Sequence, residues 1–255
     1  MSTGQLYLVG LGPGSRELMS PVAVDVLTRC DVVIGYTGYI EQVKDLTESK
    51  EIVAMELGEE MQRASKAVEL ASAGKSVAVV SSGDAGIYGM AAPVFQQLAS
   101  VGWDGEDPRV EVVPGISALQ SAASLLGSPL MQDFCAISLS DLMTPWDVIR
   151  KRLTAAAQGD FVIVLYNPRS RKRQRNIVEA REIILAERDK GTPVGLVRNA
   201  YRPDQKVSLT TLGELEARFE DVDMFTTVVI GNSTTYIAGN KMITPRGYRD
   251  AADFG

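Results

Sequence analysis

Short runs of apolar residues rich in Val, Leu and Ile recur along the chain at 6–9, 32–34, 77–80, 110–113, 161–165, 194–197 and 227–230, each bounded by Gly, Pro, Asn or Asp. Runs this short, without polar alternation, read as strands covered on both faces. Between them lie longer segments of helical character, 58–73, 90–101 and 171–190, stopped in turn by Gly74, Gly102 and Gly191. Strands alternating with helices predict an α/β chain with mainly parallel sheet in its first domain. The rhythm breaks between 114 and 129, where a helix-like stretch of Ala, Ser and Leu separates two strand-helix series. This predicts an N-terminal α/β domain over 1–115, a C-terminal α/β domain over 116–245 and a loose tail over 246–255. In the second domain, 206–211 and 226–230 flank a short segment, so antiparallel pairing enters and the sheet is mixed.

Composition narrows the chemistry. A chain of 255 residues with 45% hydrophobic and 23% charged residues is ordinary globular usage. Its formal charge of -6 argues against a chain built to neutralise a phosphate backbone, so nucleic acid is not an expected partner. Histidine is absent altogether, which excludes Ser-His-Asp and Cys-His hydrolysis, HExxH zinc sites and imidazole proton shuttles. Cys30 and Cys135 are too few for a zinc site or a disulfide framework; no metal is expected, and buried thiols in a reducing cytosol fit them. Residues 1–14 carry no basic, apolar leader pattern, and no run of about 18 apolar residues occurs elsewhere, which predicts a cytoplasmic, unanchored protein with no membrane partner.

In open α/β sheets ligands bind beyond the carboxyl ends of strands, so the segments after each strand are the ones to search. Gly10-Leu11-Gly12-Pro13-Gly14 follows the first strand as a turn that lets the backbone approach a ligand. It misses the dinucleotide fingerprint, because Ser15 stands where the third glycine belongs and Pro13 lacks an N–H. Ser81-Ser82-Gly83-Asp84-Ala85-Gly86-Ile87-Tyr88-Gly89 follows the strand at 77–80. There Asp84 either offers a carboxylate to ribose hydroxyls or an amino group, or caps the helix beginning near Met90. Pro114-Gly115-Ile116-Ser117-Ala118 is a third small-residue loop, in which Ser117 is a ligand contact or an N-cap.

In the second half, Arg169, Arg171, Lys172, Arg173 and Arg175 place five cations in seven residues with no acid among them. If the helix begins near Arg171, these charges crowd its first turn, where the macrodipole opposes them. A carboxylate- or phosphate-bearing ligand accounts for that arrangement, and a solvated basic face is the competing explanation.

Taken in order, Val9-Gly10-Leu11-Gly12-Pro13-Gly14, Ser82-Gly83-Asp84 with Ile87, Pro114-Gly115-Ile116-Ser117-Ala118, and Arg198-Asn199-Ala200 with Arg202-Pro203-Asp204-Gln205 resemble the tetrapyrrole (corrin/porphyrin) methyltransferase family over nearly the whole chain. The stretches Gly35-Tyr36-Thr37-Gly38-Tyr39-Ile40, Leu139-Ser140-Asp141-Leu142-Met143-Thr144-Pro145-Trp146 and Leu165-Tyr166-Asn167-Pro168-Arg169-Ser170 are similar to the branch that methylates carbon 17 of precorrin-3B. The resemblance implies a two-domain α/β fold, a homodimer, S-adenosylmethionine in a cleft between the domains, and a precorrin-3B substrate contracted to precorrin-4. Carried over by position, Pro13, Ser82, Gly83, Asp84, Ile87, Ser117, Ala118, Tyr166, Asn167, Asn199, Ala200, Thr226 and Thr227 would line the cofactor site. Ala85 departs from the family, which commonly has proline after the Gly-Asp pair.

Methyl transfer from a sulfonium asks mainly for alignment and desolvation, which suits a chain without histidine or metal ligands. The five cations would meet the carboxylates of a precorrin. No residue is identified as a general base, and Asp141 and Tyr88 are the candidates for proton handling. Three readings compete: a cobalt-bearing substrate or another ring carbon within the family, an NAD(P)-dependent oxidoreductase, and a non-catalytic carrier. The oxidoreductase lacks the acid expected at the end of the second strand, since Asp31 precedes it.

Overall fold

The computed structural model describes residues 4–247, so the expected tail at 246–255 lies outside the described residues except for its first two positions. The chain divides into two compact units between Ala118 and Leu119.

The first unit is a parallel sheet of β1 (Gln5–Gly10), β2 (Val32–Tyr36), β3 (Glu51–Met55), β4 (Ser76–Ser81) and β5 (Arg109–Val113), in the order β3-β2-β4-β1-β5. Its helices are α1 (Pro21–Arg29), the short α2 (Thr37–Glu41) and α3 (Lys44–Thr47), α4 (Glu60–Ser72) and α5 (Ala91–Ser100). The period-two alternation of a strand explains why its central runs are apolar throughout. Leu6, Leu8, Val77 and Val79 face a core shared with α4 and α5. Val9, Ala78 and Val80 face the opposite core with Ala23, Val26 and Leu27 of α1. Gly74 and Gly102, at φ +90 and +74, follow α4 and α5 in the left-handed conformation that closes a helix.

The second unit opens with α6 (Ala118–Leu126), whose first residue falls at the division, and the two-residue β6 (Gly127–Ser128). It continues through β7 (Phe134–Ser138), α7 (Trp146–Gln158), β8 (Val162–Tyr166), α8 (Arg175–Leu185), β9 (Pro193–Arg198), β10 (Lys206–Thr211), β11 (Thr226–Ile230), β12 (Tyr236–Ala238) and β13 (Lys241–Ile243). The main sheet has the order β10-β9-β11-β8-β7 and is mixed: β7 and β8 run parallel, whereas β11 is antiparallel to β8 and β9, and β10 to β9. Thus 206–211 and 226–230 both pair antiparallel with β9, not with each other. A small sheet pairs β13 with β12 and with β6. α7 and α8 cover one face of the main sheet and α6 the other.

One expected helix is corrected. Residues 171–174 are not helical; α8 begins at Arg175 and ends at Leu185, well before Gly191. Ser170 N–H donates to the Arg173 carbonyl at 3.0 Å and Arg173 N–H returns to Ser170 O at 3.2 Å, closing a turn ahead of the helix. Of the five cations only Arg175 loads the first helical turn.

Candidate functional site

In the first unit the carboxyl ends of β4, β1 and β5 are neighbours on one sheet edge, and their three loops meet backbone to backbone. Gly12 and Gly83 exchange N–H···O bonds of 3.0 and 2.8 Å, and Leu11 N–H reaches Ser81 O at 2.9 Å. A Cβ on Gly10 would stand 2.7 Å from both Gly83 O and Gly115 N, and one on Gly115 would stand 2.1 Å from Gly83 O. Only glycine permits that approach.

Asp84 fastens the assembly. Its Oδ1 accepts from Gly86 N at 2.8 Å and its Oδ2 from Gly115 N at 3.0 Å, so one carboxylate ties its own loop to the loop after β5. The head of α5 is served by another group, since Met90 N–H donates to Ser81 Oγ at 3.1 Å. Asp84 is therefore a loop staple rather than the cap of that helix. Pro13 and Ser117 are buried, Ser82 is half-buried, and a Cβ on Gly83 would lie 3.5 Å from Ser117 Cα and Ala118 N, so Gly83, Ser117 and Ala118 come together. Ile87 and Tyr88 lie on the exposed arm of the loop, and Tyr88 holds φ +54, a conformation bulky residues rarely adopt.

In the second unit β11 runs antiparallel to β8 and β9, so its first residues share a sheet edge with the ends of β8 and β9. Asn167 and Asn199 directly follow those two strands and take φ +49 and +51, left-handed values that asparagine tolerates. Asn167 Nδ2 donates to Ser138 Oγ at 3.0 Å, and Asn199 N–H to Phe225 O at 3.1 Å. Tyr166 accepts from Leu119 N at 2.9 Å through its hydroxyl and packs with Ala200 on the α6 face. Thr226 and Thr227 are consecutive on a strand and so point to opposite faces. The Thr226 hydroxyl donates to Asp223 Oδ1 at 3.0 Å and turns away from Tyr166, whereas Thr227 shares the face of Val229 and Val197. On the Thr226 side a cavity of about 580 Å³ opens toward β10, its wall holding the Arg198–Asp223 and Arg218–Asp221 ion pairs at 2.8 Å each.

The basic cluster separates into two kinds of residue. Arg169 is spoken for: its guanidinium donates to Phe219 O and pairs with Glu220 at 2.9 Å. Arg173 donates to Asn167 O at 2.8 Å and Ser140 Oγ at 3.3 Å. Burial pulls the pKa of Arg173 below its ordinary value, and the nearby charge of Asp141 works in the other direction. Arg171, Lys172 and Arg175 remain exposed. Asp141 is exposed in the loop after β7, in the unit opposite to that of Tyr88, and Cys135 is pushed up to about 11 by burial, so its thiol stays protonated near neutrality. The residues missed from sequence are Ser138, Asp223 and Phe225. The pattern Asp-x-x-Thr before β11 is the one legible signal for Asp223, whose carboxylate accepts from Phe225 N and the Thr226 hydroxyl.

The chain belongs to the tetrapyrrole (corrin/porphyrin) methylases, whose family profile matches residues 5–216. Within that class, a Salmonella typhimurium protein named probable cobalt-factor III C(17)-methyltransferase is 47% identical over 243 residues, covering 95% of this chain and 99% of the relative. A Sinorhizobium protein named precorrin-3B C(17)-methyltransferase is 38% identical, covering 98% and 99%. The crystal structure of the methyltransferase CobJ superposes with a TM-score of 0.88 at 34% identity, over 96% of this chain and 100% of that one. The chain spans about half the length of some other curated relatives that it matches, 45% of one and 55% of another. These relationships make it a C-methyltransferase, which sets aside the oxidoreductase reading. Among the described residues no helix is long and apolar enough to cross a membrane.

Proposed function

We propose that the protein methylates carbon 17 of a precorrin-3B-type tetrapyrrole with S-adenosylmethionine, with ring contraction to the precorrin-4 level, in assembly of the corrin ring of cobalamin. The observation that carries this reading is the three-loop junction closed by Asp84, in a chain of this family. The donor set suits the cofactor. In the first unit, carboxylate and hydroxyl oxygens of Asp84, Ser82 and Ser117 offer acceptors to ribose and amino groups; in the second, the Thr227 hydroxyl and the amides of Asn167 and Asn199 offer polar groups of the same kind. When bound, S-adenosylmethionine supplies an electrophilic methyl group on a sulfonium. The chain's own part is then to hold and orient both reactants and exclude water. Asp84 keeps the glycine loops in register, and the exposed Arg171, Lys172 and Arg175 meet substrate carboxylates. Arg169 and Arg173 are already bonded to protein groups and hold the segment that carries these cations. The enzyme is taken as a cytoplasmic homodimer.

A cobalt-bearing substrate is the second reading, favoured by the 47% identity to the cobalt-factor III relative against 38% to the precorrin-3B one. Incubation with deuteriomethyl S-adenosylmethionine and, separately, precorrin-3B or cobalt-factor III decides between them, with mass spectrometry and nuclear magnetic resonance locating the label. Label at carbon 17 is expected. Label at another carbon would move the ring position, and no label with either substrate would remove the reading.

Asp84→Ala is expected to weaken binding of S-adenosylhomocysteine at least about tenfold, because two backbone N–H groups lose a charged acceptor. Asp84→Asn should fall between, since its amide oxygen replaces only one acceptor. Titration calorimetry reads both, and an unchanged affinity for Asp84→Ala would show that the glycine-loop junction keeps its binding shape without this carboxylate.

A further inference from the structure

The loop after β7 carries two of the most exposed large apolar side chains among the described residues, Leu142 at 82% and Met143 at 91%. Its stem is firmly held. Leu139 N–H donates to Tyr166 O at 2.9 Å, Asn176 Nδ2 donates to Leu139 O at 2.8 Å, and Ser140 N–H donates to Ser138 Oγ at 3.2 Å. A second exposed apolar pair, Met224 and Phe225 at 42% and 58%, precedes β11 on the same edge of the sheet. It is held by Phe225 N–H on Asp223 Oδ1 at 2.9 Å and by the Arg198 guanidinium 5.8 Å from the Phe225 ring centre.

Arg173 joins the two pairs, reaching Ser140 Oγ at 3.3 Å with one amino group and Met224 Sδ at 3.5 Å with the other. The turn that Arg173 closes with Ser170 carries Arg171 and Lys172 at its exposed tip. The result is two exposed apolar pairs on held stems, linked through Arg173, with Arg171 and Lys172 on the same turn. Apolar side chains grouped on rigid stems at a sheet edge mark a binding surface, because ordering them toward water gains nothing.

We infer that Leu142, Met143, Met224 and Phe225 form a platform for the ring face of the tetrapyrrole, while Arg171 and Lys172 reach its carboxylates. The inference rests on the substrate class proposed above. Charge complementarity selects the occupant: a single ligand with an apolar macrocycle fringed by carboxylates matches an apolar platform flanked by cations.

The test is a fluorescence-quenching titration with metal-free uroporphyrin, a macrocycle whose side chains are all carboxylates, using wild type and the double variant Leu142→Ser/Met143→Ser. Both side chains project into solvent, so the fold should survive their loss. The porphyrin Kd is expected to rise at least about tenfold, with S-adenosylhomocysteine affinity, melting midpoint and sedimenting mass unchanged. Equal porphyrin affinity in the two proteins would overturn the platform and leave the proposed activity standing. A drop in sedimenting mass for the double variant would assign the patch to self-association instead. Wild type that binds S-adenosylhomocysteine but not the porphyrin would remove the substrate class and the platform together.

Discussion

Gly115→Ala is expected to abolish measurable binding of S-adenosylhomocysteine and to lower stability by about 3 kcal/mol or more, beyond the usual cost of a single overpacked methyl. The added Cβ would lie 2.1 Å from Gly83 O and 2.8 Å from Gly10 C and O, all backbone atoms. No side chain can rotate away, so relief requires the loops after β1, β4 and β5 to separate. That separation also breaks the Gly115 N–H bond to Asp84. Gly102→Ala is the control: its φ of +74 brings a backbone penalty that Gly115 does not carry, but its Cβ would meet open space. It should cost only about 1 kcal/mol and leave ligand affinity alone. Thermal melting and calorimetry of the two variants make the comparison, and a Gly115→Ala protein that binds like wild type would show that loop contact is dispensable.

Arg188→Met should be the most damaging substitution remote from the candidate site. Arg188 is buried, and its guanidinium donates to three backbone carbonyls, those of Gly231, Phe161 and Ala156, the last at 3.2 Å. These belong to the segments after β11, before β8 and within α7, so one side chain stitches three parts of the second unit. Methionine fills much of the volume but donates nothing, leaving buried acceptors short of partners at roughly 1–3 kcal/mol each. A net loss of about 3 kcal/mol corresponds to a melting midpoint lower by roughly 6–12 °C. Arg188→Lys should recover little, because an ammonium point charge does not reproduce the planar fork. If the methionine variant melts within a degree or two of wild type, the carbonyls have found other donors.

The central strands of both units were legible because burial on both faces leaves unbroken apolar runs, as at Leu6–Leu8–Val9 and Val162–Leu165. Strand β3 was not, since Glu51–Met55 is a half-exposed edge strand with a mixed pattern, and β7 escaped for the same reason. The three glycine loops could be picked out from small residues after strands. What they do to one another could not: that Asp84 reaches Gly115, 31 positions away, is a tertiary fact. The same holds for the basic cluster. Counting cations cannot tell that Arg169 is bound to Phe219 and Glu220 while Arg171 and Lys172 face water, because the partners lie about fifty residues further on. The left-handed Asn167 and Asn199 had a chemical hint in their residue type, whereas the opposite facing of Thr226 and Thr227 follows from strand register alone.

The pairing of β13 with β6 carries a consequence for biosynthesis. β6 emerges at residue 128, but its partner, with the Gln132 contact to the Pro245 carbonyl, arrives more than a hundred residues later. The first unit, by contrast, has its complete sheet once Val113 is made. At about 5–20 residues per second of translation, the sheet of the first unit is complete for roughly 6–26 seconds before β13, which completes the small sheet of the second unit, has been polymerised. The nascent chain thus carries its Asp84 junction ahead of the surface proposed to receive the macrocycle, and the threading of the polypeptide sets that order.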